Sequence, residues 1–435
     1  RNCIDRCGAN APATTGILEG KVGGKKTVVL LDSLSTKISH SYFFDVLTKR
    51  GHQISFFLAE SVDSELVKFG EILYHNLIVF SPRSKLDSDF MNLSAILDFV
   101  DFGGNVLIAG QSNMSKSFKN LCANVGVDFD PIGSEVLDHF NHESLSSEPK
   151  HDIIRTNRFL ENKYILGDLP KNASVLFRGI GHTNYEENIL VSSVLKPSDK
   201  AYSTLTKKGA STITKVGSDI VLVSAIQSRN NARIIVSGSL DMFSNKFFQA
   251  KGFRNKDFCS EISKWVFAER GVLRASNVNH TKGDGTLAEL LLKQKTRLDL
   301  PQSLFPEPEI AKNSQVYRIG ETIDYSLKVE EYDADKGGWV PFAASDLQVE
   351  FVMLDPFERI TLSNDPQSGI FSTTFTAPDK YGIFKFRIMY RRVGLTVLLI
   401  NTQVSLRPYK HNEHERFIPS AYPYYFSVFS IMIGF

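Results

Sequence analysis

Residues 26–32 read KTVVLLD, an apolar run closed by an acid. So short a run has no polar face to offer water, so it is read as a strand covered on both sides, as in a parallel sheet. Related runs follow at residues 52–58 (HQISFFL), 74–80 (YHNLIVF) and 105–109 (NVLIA). Between them lie segments with apolar residues at helical spacing: 39–50, where Tyr42, Phe43, Val46 and Leu47 share a face, then 61–69, 89–102 and 115–124,. Gly51 stops the first of these and Gly103-Gly104 the third,. Strands separated by helices of about 10–15 residues imply crossovers, so an open, doubly wound α/β unit around a parallel sheet is expected.

Beyond residue 153 the pattern turns to strands, at 174–179, 189–193, 201–204, 219–227 and 232–239. Ser228-Arg229-Asn230-Asn231 joins the last two as a hairpin turn, because Asn tolerates the left-handed region,. Arg229 and Arg233 flank that turn and read as exposed surface. Residues 257–270 form a helix with Phe258, Ile262, Trp265 and Val266 on one face, closed by Gly271. Residues 275–315 are weakly organised, with a charged helical piece at 286–297 and prolines at 301, 306 and 308, and read as a linker,. From residue 316 the period becomes two. Strands at 321–330, 347–354, 370–375, 383–390, 395–401 and 403–406 are punctuated by Pro, Gly and Asp, the pattern of a β-sandwich,. The expected plan is a structureless leader (1–25), an α/β domain with a strand-rich second half (26–274), a linker (275–315), a β-sandwich domain (316–410) and a membrane-entry segment (411–435).

The totals exclude several classes. A chain of 435 residues exceeds one ordinary core,. Fifty basic against 48 acidic residues leave a formal charge of +2, with no electrostatic footprint for nucleic acid,. Four cysteines (3, 7, 122 and 259) are too few for a disulfide scaffold, and Cys122 and Cys259 sit in apolar helical settings as buried thiols,. Residues 1–26 contain no apolar core of a secretory signal,.

Open α/β sheets bind ligands beyond the carboxyl ends of their strands. Here those ends are Asp32-Ser33, Ser81-Pro82 and Ala109-Gly110-Gln111-Ser112, and none carries G-x-G-x-x-G, a P-loop or G-x-S-x-G,. The order of elements resembles the class I glutamine amidotransferase fold. The turn at Gly110–Asn113 offers Gln and Ser in place of the cysteine that fold uses. Ser112 as a nucleophile would need a base and an oxyanion hole, and the sequence assigns neither. Asp32 reads as a turn cap. Asp138, His139, His142, His151 and Asp152 make a His-rich patch with zinc-binding residue types, in a spacing that matches no motif,. The acidic pairs Asp128/Asp130, Glu330/Glu331 and Asp333/Asp335 read as solvated turns without the convergence a hard cation needs,. No cofactor and no metal are expected. Sequons start at Asn92, Asn113, Asn172 and Asn279, roughly the three that composition alone would give,. Asn92 and Asn113 fall in helix-like segments.

Residues 416–435, RFIPSAYPYYFSVFSIMIGF, differ from everything before them. Tyr422, Tyr424 and Tyr425, with Phe417, Pro419 and Pro423, precede an uncharged apolar run from Phe426. Aromatic belts of this kind mark entry into a bilayer. A spanning helix needs about 20 apolar residues and ten lie from Phe426 onward, so the expectation is the beginning of a transmembrane anchor,.

ERFIPSAYPYY (415–425) resembles the membrane entry of the 48 kDa subunit family of oligosaccharyltransferase. So do KTVVLLDSL (26–34), YHNLIVFSP (74–82), QSRNNARIIVSGSLDMFSNKFF (227–248), WVFAERGVLR (265–274), VEFVMLDPF (349–357), PDKYGIFKFRIMYRRVGLT (378–396) and QVSLRP (403–408). The resemblance runs from about residue 26 to the last residue, leaving out the leader and an insertion near 284–309. It implies a non-catalytic, single-pass type I subunit of a complex that transfers a dolichol-linked glycan to asparagine in the endoplasmic reticulum. It also implies the partners: a multispanning catalytic subunit, the ribophorins and the small subunit called defender against cell death. Two other readings compete. One is an amidotransferase-like hydrolase using Asp32 and Gly110–Asn113. The other is a carbohydrate-binding sandwich presenting Trp339 or Tyr332.

Overall fold

The computed structural model describes residues 15–18, 22, 24–59, 65–86, 92–143, 151–170, 172–185, 188–207, 210–283, 316–414 and 419–435. The chain is mixed α/β, with one large sheet and several smaller ones. Five strands of the large sheet run parallel: Gln53–Leu58, Lys26–Leu31, Asn76–Phe80, Asn105–Ala109 and Arg233–Ser237, in that spatial order. Numbered along the chain, the order is 2-1-3-4-5. Val223–Gln227, Val191–Lys196 and Arg158–Phe159 extend the sheet antiparallel beyond Arg233–Ser237.

The continuous apolar runs are explained by cover on both faces. Val29 and Leu31 face Phe43, Phe44 and Leu47 of the helix Ser41–Lys49, and Phe258, Ile262 and Trp265 of Asn255–Val266. Val28 and Leu30 face the other way, towards Ile96 and Phe99 of Leu93–Asp101 and Phe118 and Leu121 of Lys116–Asn124. Each such side chain, fully buried, stabilises the fold by about 1.5–3 kcal/mol. The expected helix at 61–69 is corrected at its described end, where Val67–Lys68 and Glu71–Ile72 form a small hairpin. Phe69 and Gly70 both take positive φ there, which turns the chain and breaks a helix,.

The second half packs two further sheets face to face. One contains Leu398–Arg407, Gly382–Tyr390, Gln348–Val352 and Pro356–Thr361, and the other Arg270–Lys282, Thr322–Asp333, Ile370–Thr376 and Ser363–Asp365. Between them Phe351 stacks on Phe384 with centroids 4.6 Å apart, and Tyr325 lies 4.9 Å from Phe386. Two expectations are corrected here. The leader is not structureless throughout, because Thr15–Leu18 pairs antiparallel with Leu398–Arg407. The helix before Gly271 ends at Val266, and Arg270–Lys282 is a 13-residue strand paired with Thr322–Asp333, so residues 275–282 are sheet and not linker. The remainder of the expected linker, 284–315, lies outside the described residues.

A polar belt crosses the amino ends of the parallel strands. His52 Nε2 donates to Glu269 Oε1 (2.8 Å), and His52 Nδ1 accepts from Thr27 Oγ1 (3.0 Å). Asn76 Nδ2 donates to Thr27 Oγ1 (3.3 Å), Asn105 Nδ2 to Asn76 Oδ1 (3.3 Å), and the Arg233 amide to Asn105 Oδ1 (3.1 Å). Arg233, expected at the surface, is fully buried. Its guanidinium donates to the carbonyls of Trp265 (2.8 Å), Arg270 (2.6 Å) and Gly271 (2.6 Å), and burial holds its pKa down to about 9. The belt therefore begins and ends on residues 265–271, the passage into the two packed sheets.

Candidate functional site

Three places deserve the description of a site: the carboxyl ends of the parallel strands, the His-rich loop, and the segment leading to the C-terminal helix. At the first, the spatial order puts the topological switch point between Lys26–Leu31 and Asn76–Phe80,. Asp32 Oδ2 accepts the Arg83 amide at 3.2 Å, which ties the two strand ends together. Ser112 Oγ donates to Glu135 at 3.3 Å, and no imidazole is hydrogen-bonded to it among the described residues. The partner of this serine is therefore a carboxylate at the long end of hydrogen-bond range, not the imidazole of a Ser–His pair,. Gly110 donates its amide to the Ser237 carbonyl at 2.7 Å, so this turn is held against the neighbouring strand.

The His-rich loop does come together. His139 Nδ1 meets His151 Nδ1, His139 Nε2 meets the Tyr202 hydroxyl at 2.7 Å, and the His142 and His151 rings stack 3.9 Å apart. Slight burial and the neighbouring rings of His142 and His139 push the His151 pKa down. The carboxylates turn elsewhere. Asp138 accepts the amides of Phe140 (2.8 Å) and Asn141 (2.9 Å), and Asp152 pairs with Arg178 at 3.1 Å. Among the described residues no group of three His, Cys, Asp or Glu side chains is arranged to hold a metal ion. The acidic pairs are met by bases: Asp130 by Lys215 (2.7 Å), Glu330 by Arg274 and Lys328 (both 2.6 Å), and Asp335 by Lys264 (3.0 Å). Trp339 meets Tyr332 edge-on at 5.5 Å, and the Arg274 guanidinium covers its ring at 4.1 Å.

The sequons separate by local structure. Asn92 is the N-cap of Leu93–Asp101, its side chain accepting the Ala95 amide at 2.8 Å. Asn113, expected in a helix-like segment, is exposed in a turn, and Asn172 is exposed in another. Asn279 lies within the strand Arg270–Lys282, with Thr281 of the same sequon buried.

The exit from the packed sheets is pinned. Arg407 makes a bidentate pair with Glu413 (2.6 and 2.7 Å), and Glu413 Oε2 also accepts the Lys410 amide at 2.9 Å. Those bonds, with Arg407 foremost, hold the Glu413 pKa down to about 2. Pro419–Ala421 is a single 3-10 turn, and Tyr422–Gly434 is a 13-residue helix with Pro423 in its first turn. Not one of its residues is buried: Tyr424 is 73% exposed, Phe426 77% and Ile433 85%. Ser427 and Ser430 turn their hydroxyls back to the carbonyls of Tyr424 and Phe426. Tyr422 and Tyr425 share a face, rings edge to face at 6.4 Å, while Phe417 lies outside the described residues. Among the described residues no helix is long and apolar enough to cross a membrane.

Reading the sequence missed the junction between the α/β unit and the packed sheets. The loop after Gly382–Tyr390 is tied to the α/β unit by Asn162 Nδ2 to Val393 O (2.8 Å), Trp265 Nε1 to Gly394 O (2.8 Å), Gln227 Nε2 to Leu395 O (2.8 Å) and Val397 N to Asn231 Oδ1 (2.7 Å). Gly394 takes φ +87°, and a Cβ there would stand 2.9 Å from Tyr164 Cβ, so glycine is required,. Asn231, in the predicted hairpin turn, has φ +68° and holds this loop with its side chain.

Residues 19–269 match the family model described as OST48, N-terminal domain, and residues 306–435 match the OST48 middle domain. Full-length relatives are similar throughout. The dolichyl-diphosphooligosaccharide–protein glycosyltransferase 48 kDa subunit of Arabidopsis thaliana is 37% identical, across 94% of this chain and 91% of its own. Those of Danio rerio and Caenorhabditis elegans are each 36% identical, across 96% and 94% of this chain and 91% and 89% of theirs. Among solved structures, a ThuA-like protein from Parabacteroides merdae aligns at 14% identity with a TM-score of 0.31, over 57% of this chain and 91% of its own. That superposition is too loose to define a shared fold.

Proposed function

The chain belongs to the family of oligosaccharyltransferase 48 kDa subunits, and from that footing we propose that it is a non-catalytic scaffold of that complex in the endoplasmic reticulum membrane. The α/β unit and the packed sheets stand in the lumen as two domains, and the C-terminal helix begins a single type I anchor. The anchor packs against companion helices, and the lumenal domains help to hold the catalytic subunit in position beside the ribophorins and the defender-against-cell-death subunit. The α/β unit is an amidotransferase-like framework without that fold's nucleophile. Fold by itself licenses no activity.

The observation that carries the reading is the exposed helix Tyr422–Gly434. It is uncharged and has no buried residue, a combination water does not tolerate in a continuous patch,. Its two serines satisfy their hydroxyls on their own backbone, which suits an apolar surrounding,. Phe417, Pro419, Tyr422, Pro423, Tyr424 and Tyr425 are the residues assigned to membrane entry and partner packing. The test replaces Tyr422, Tyr424 and Tyr425 together with Ala in the full chain and co-purifies the complex from detergent-solubilised microsomes. Recovery of companion chains is expected to fall. Unchanged recovery counts against the assignment.

A further inference from the structure

Where the hairpin turn of the α/β unit meets the loop of the packed sheets lies an open cavity of about 550 Å³. Its floor is buried and apolar, formed by Trp265, Leu395 and Ala225. Its rim leaves Ile189, Met389 and Val393 more than half exposed. Among the described residues lining it there is no Asp or Glu, whereas Arg229, Arg391 and Arg392 are present. Arg392 is committed to Asp346, Nε to Oδ2 at 2.8 Å. Among the described residues, neither Arg229 nor Arg391 is in a salt bridge.

The walls of this groove are fixed. Asn162, Trp265, Gln227 and Asn231 hold the backbone of residues 393–397 from the α/β side, so little ordering remains to be done on binding,. Exposed methionine adapts to an incoming side chain, and arginine at the edge of an apolar patch is characteristic of protein interfaces. One uncommitted arginine comes from each half of the molecule. An apolar side chain accompanied by anionic groups satisfies that lining.

We propose that this groove docks an extended segment of a companion chain that inserts an apolar side chain over Trp265 and presents carboxylates to Arg229 and Arg391. The inference rests on the assembly reading above, which it deepens by naming a lumenal contact and its chemistry. A surface of this kind chooses its partner through charge and apolar fit together.

The test places p-benzoylphenylalanine at Met389 of the full chain in cells, irradiates isolated microsomes, and identifies the adduct by mass spectrometry of the cross-linked peptide. A probe at Leu354, 90% exposed and outside the groove, is the control. The expected adduct is a companion chain, cross-linked in a segment with Asp or Glu within a few residues of an apolar side chain. The variant R229E/R391E is expected to lower the yield about tenfold through like-charge repulsion while the complex still co-purifies. Glu186 and Glu187 precede the groove residue Ile189 in the chain and lie outside the described residues, so E186Q/E187Q is run alongside. Yield retained in that variant supports an acidic partner, and yield lost points to a basic one and overturns the proposal. An adduct with phospholipid, no adduct above the Leu354 control, or a yield indifferent to R229E/R391E also overturns it. If the wild-type chain recovers no companion at all, the assembly reading fails first. If it does and Met389 gives no adduct, only this inference fails.

Discussion

Glu269 is a buried carboxylate whose neutralisation carries a pH signature. It is 2% exposed, and its carboxylate meets Lys25 at 2.5 Å, His52 at 2.8 Å and Arg50 at 3.3 Å. Burial alone would raise its pKa. The His52 hydrogen bond and the charges of Arg50 and Lys25 outweigh it, and the pKa falls from 4.5 to about 2. Burial keeps the His52 pKa low, so His52 is a neutral donor to Glu269 and not an ion-pair partner. At about 1.4 kcal/mol per pKa unit the depression corresponds to roughly 3 kcal/mol. Lys25 is 40% exposed and its share is screened, so Glu269→Gln is expected to cost about 2 kcal/mol,. The assay is urea unfolding at pH 7 followed by tryptophan emission, to which Trp265, buried beside Arg233, and Trp339 both contribute. A carboxylate with a depressed folded pKa contributes its full stability above pH 4.5 and loses it as the pH falls towards 2,. The gap between wild type and variant should therefore be constant above pH 5 and close across that window. Below the usual imidazole range an unfolded His52 takes a proton that the buried ring refuses, which destabilises both proteins; because Glu269 raises the His52 pKa, the variant loses no less than the wild type, and any narrowing of the gap below pH 4.5 comes from the carboxylate,. An unchanged urea midpoint at pH 7, or a gap that does not narrow between pH 4.5 and 2, refutes the reasoning.

Three further outcomes rest on hydrogen bonds elsewhere in the α/β unit and on the strand after it. Arg233→Leu leaves the carbonyls of Trp265, Arg270 and Gly271 without their donors, and about 3 kcal/mol or more should be lost in the same urea assay, since each buried orphan costs about 1–3 kcal/mol,. Asn92→Ala removes the cap of Leu93–Asp101 and should cost about 1 kcal/mol,. A glycan on Asn92 would displace that cap and one on Asn279 would disturb a strand whose sequon Thr281 is buried, so mass mapping after enzymatic deglycosylation should find occupied sites only at Asn113 and Asn172.

The parallel strands were legible because burial on both faces forces an unbroken apolar run, and five or six such residues between turn signals have few other uses. What escaped depended on partners far along the chain. Thr15–Leu18 becomes a strand because Leu398–Arg407 offers it an edge, and nothing within four residues reports that. Arg270–Lys282 alternates poorly: the register shifts between Ser276 and Asn279, and Asn277 takes a positive φ, so its period was hidden by an irregularity that only the pairing with Thr322–Asp333 reveals. Arg233 was read as surface from its place beside a turn. A charged residue opening the run RIIVS was itself the signal, because a buried strand accepts one only with partners waiting,. The same holds for the whole belt. His52, Thr27, Asn76, Asn105 and Arg233 stand at or next to the first position of the five parallel strands, in an alignment set by the sheet order. A polar side chain recurring at the mouth of successive apolar runs predicts that those strand ends lie side by side and are sealed by hydrogen bonds. In this chain that seal runs from Glu269 to Arg233, so the α/β unit is closed at the end that carries the packed sheets.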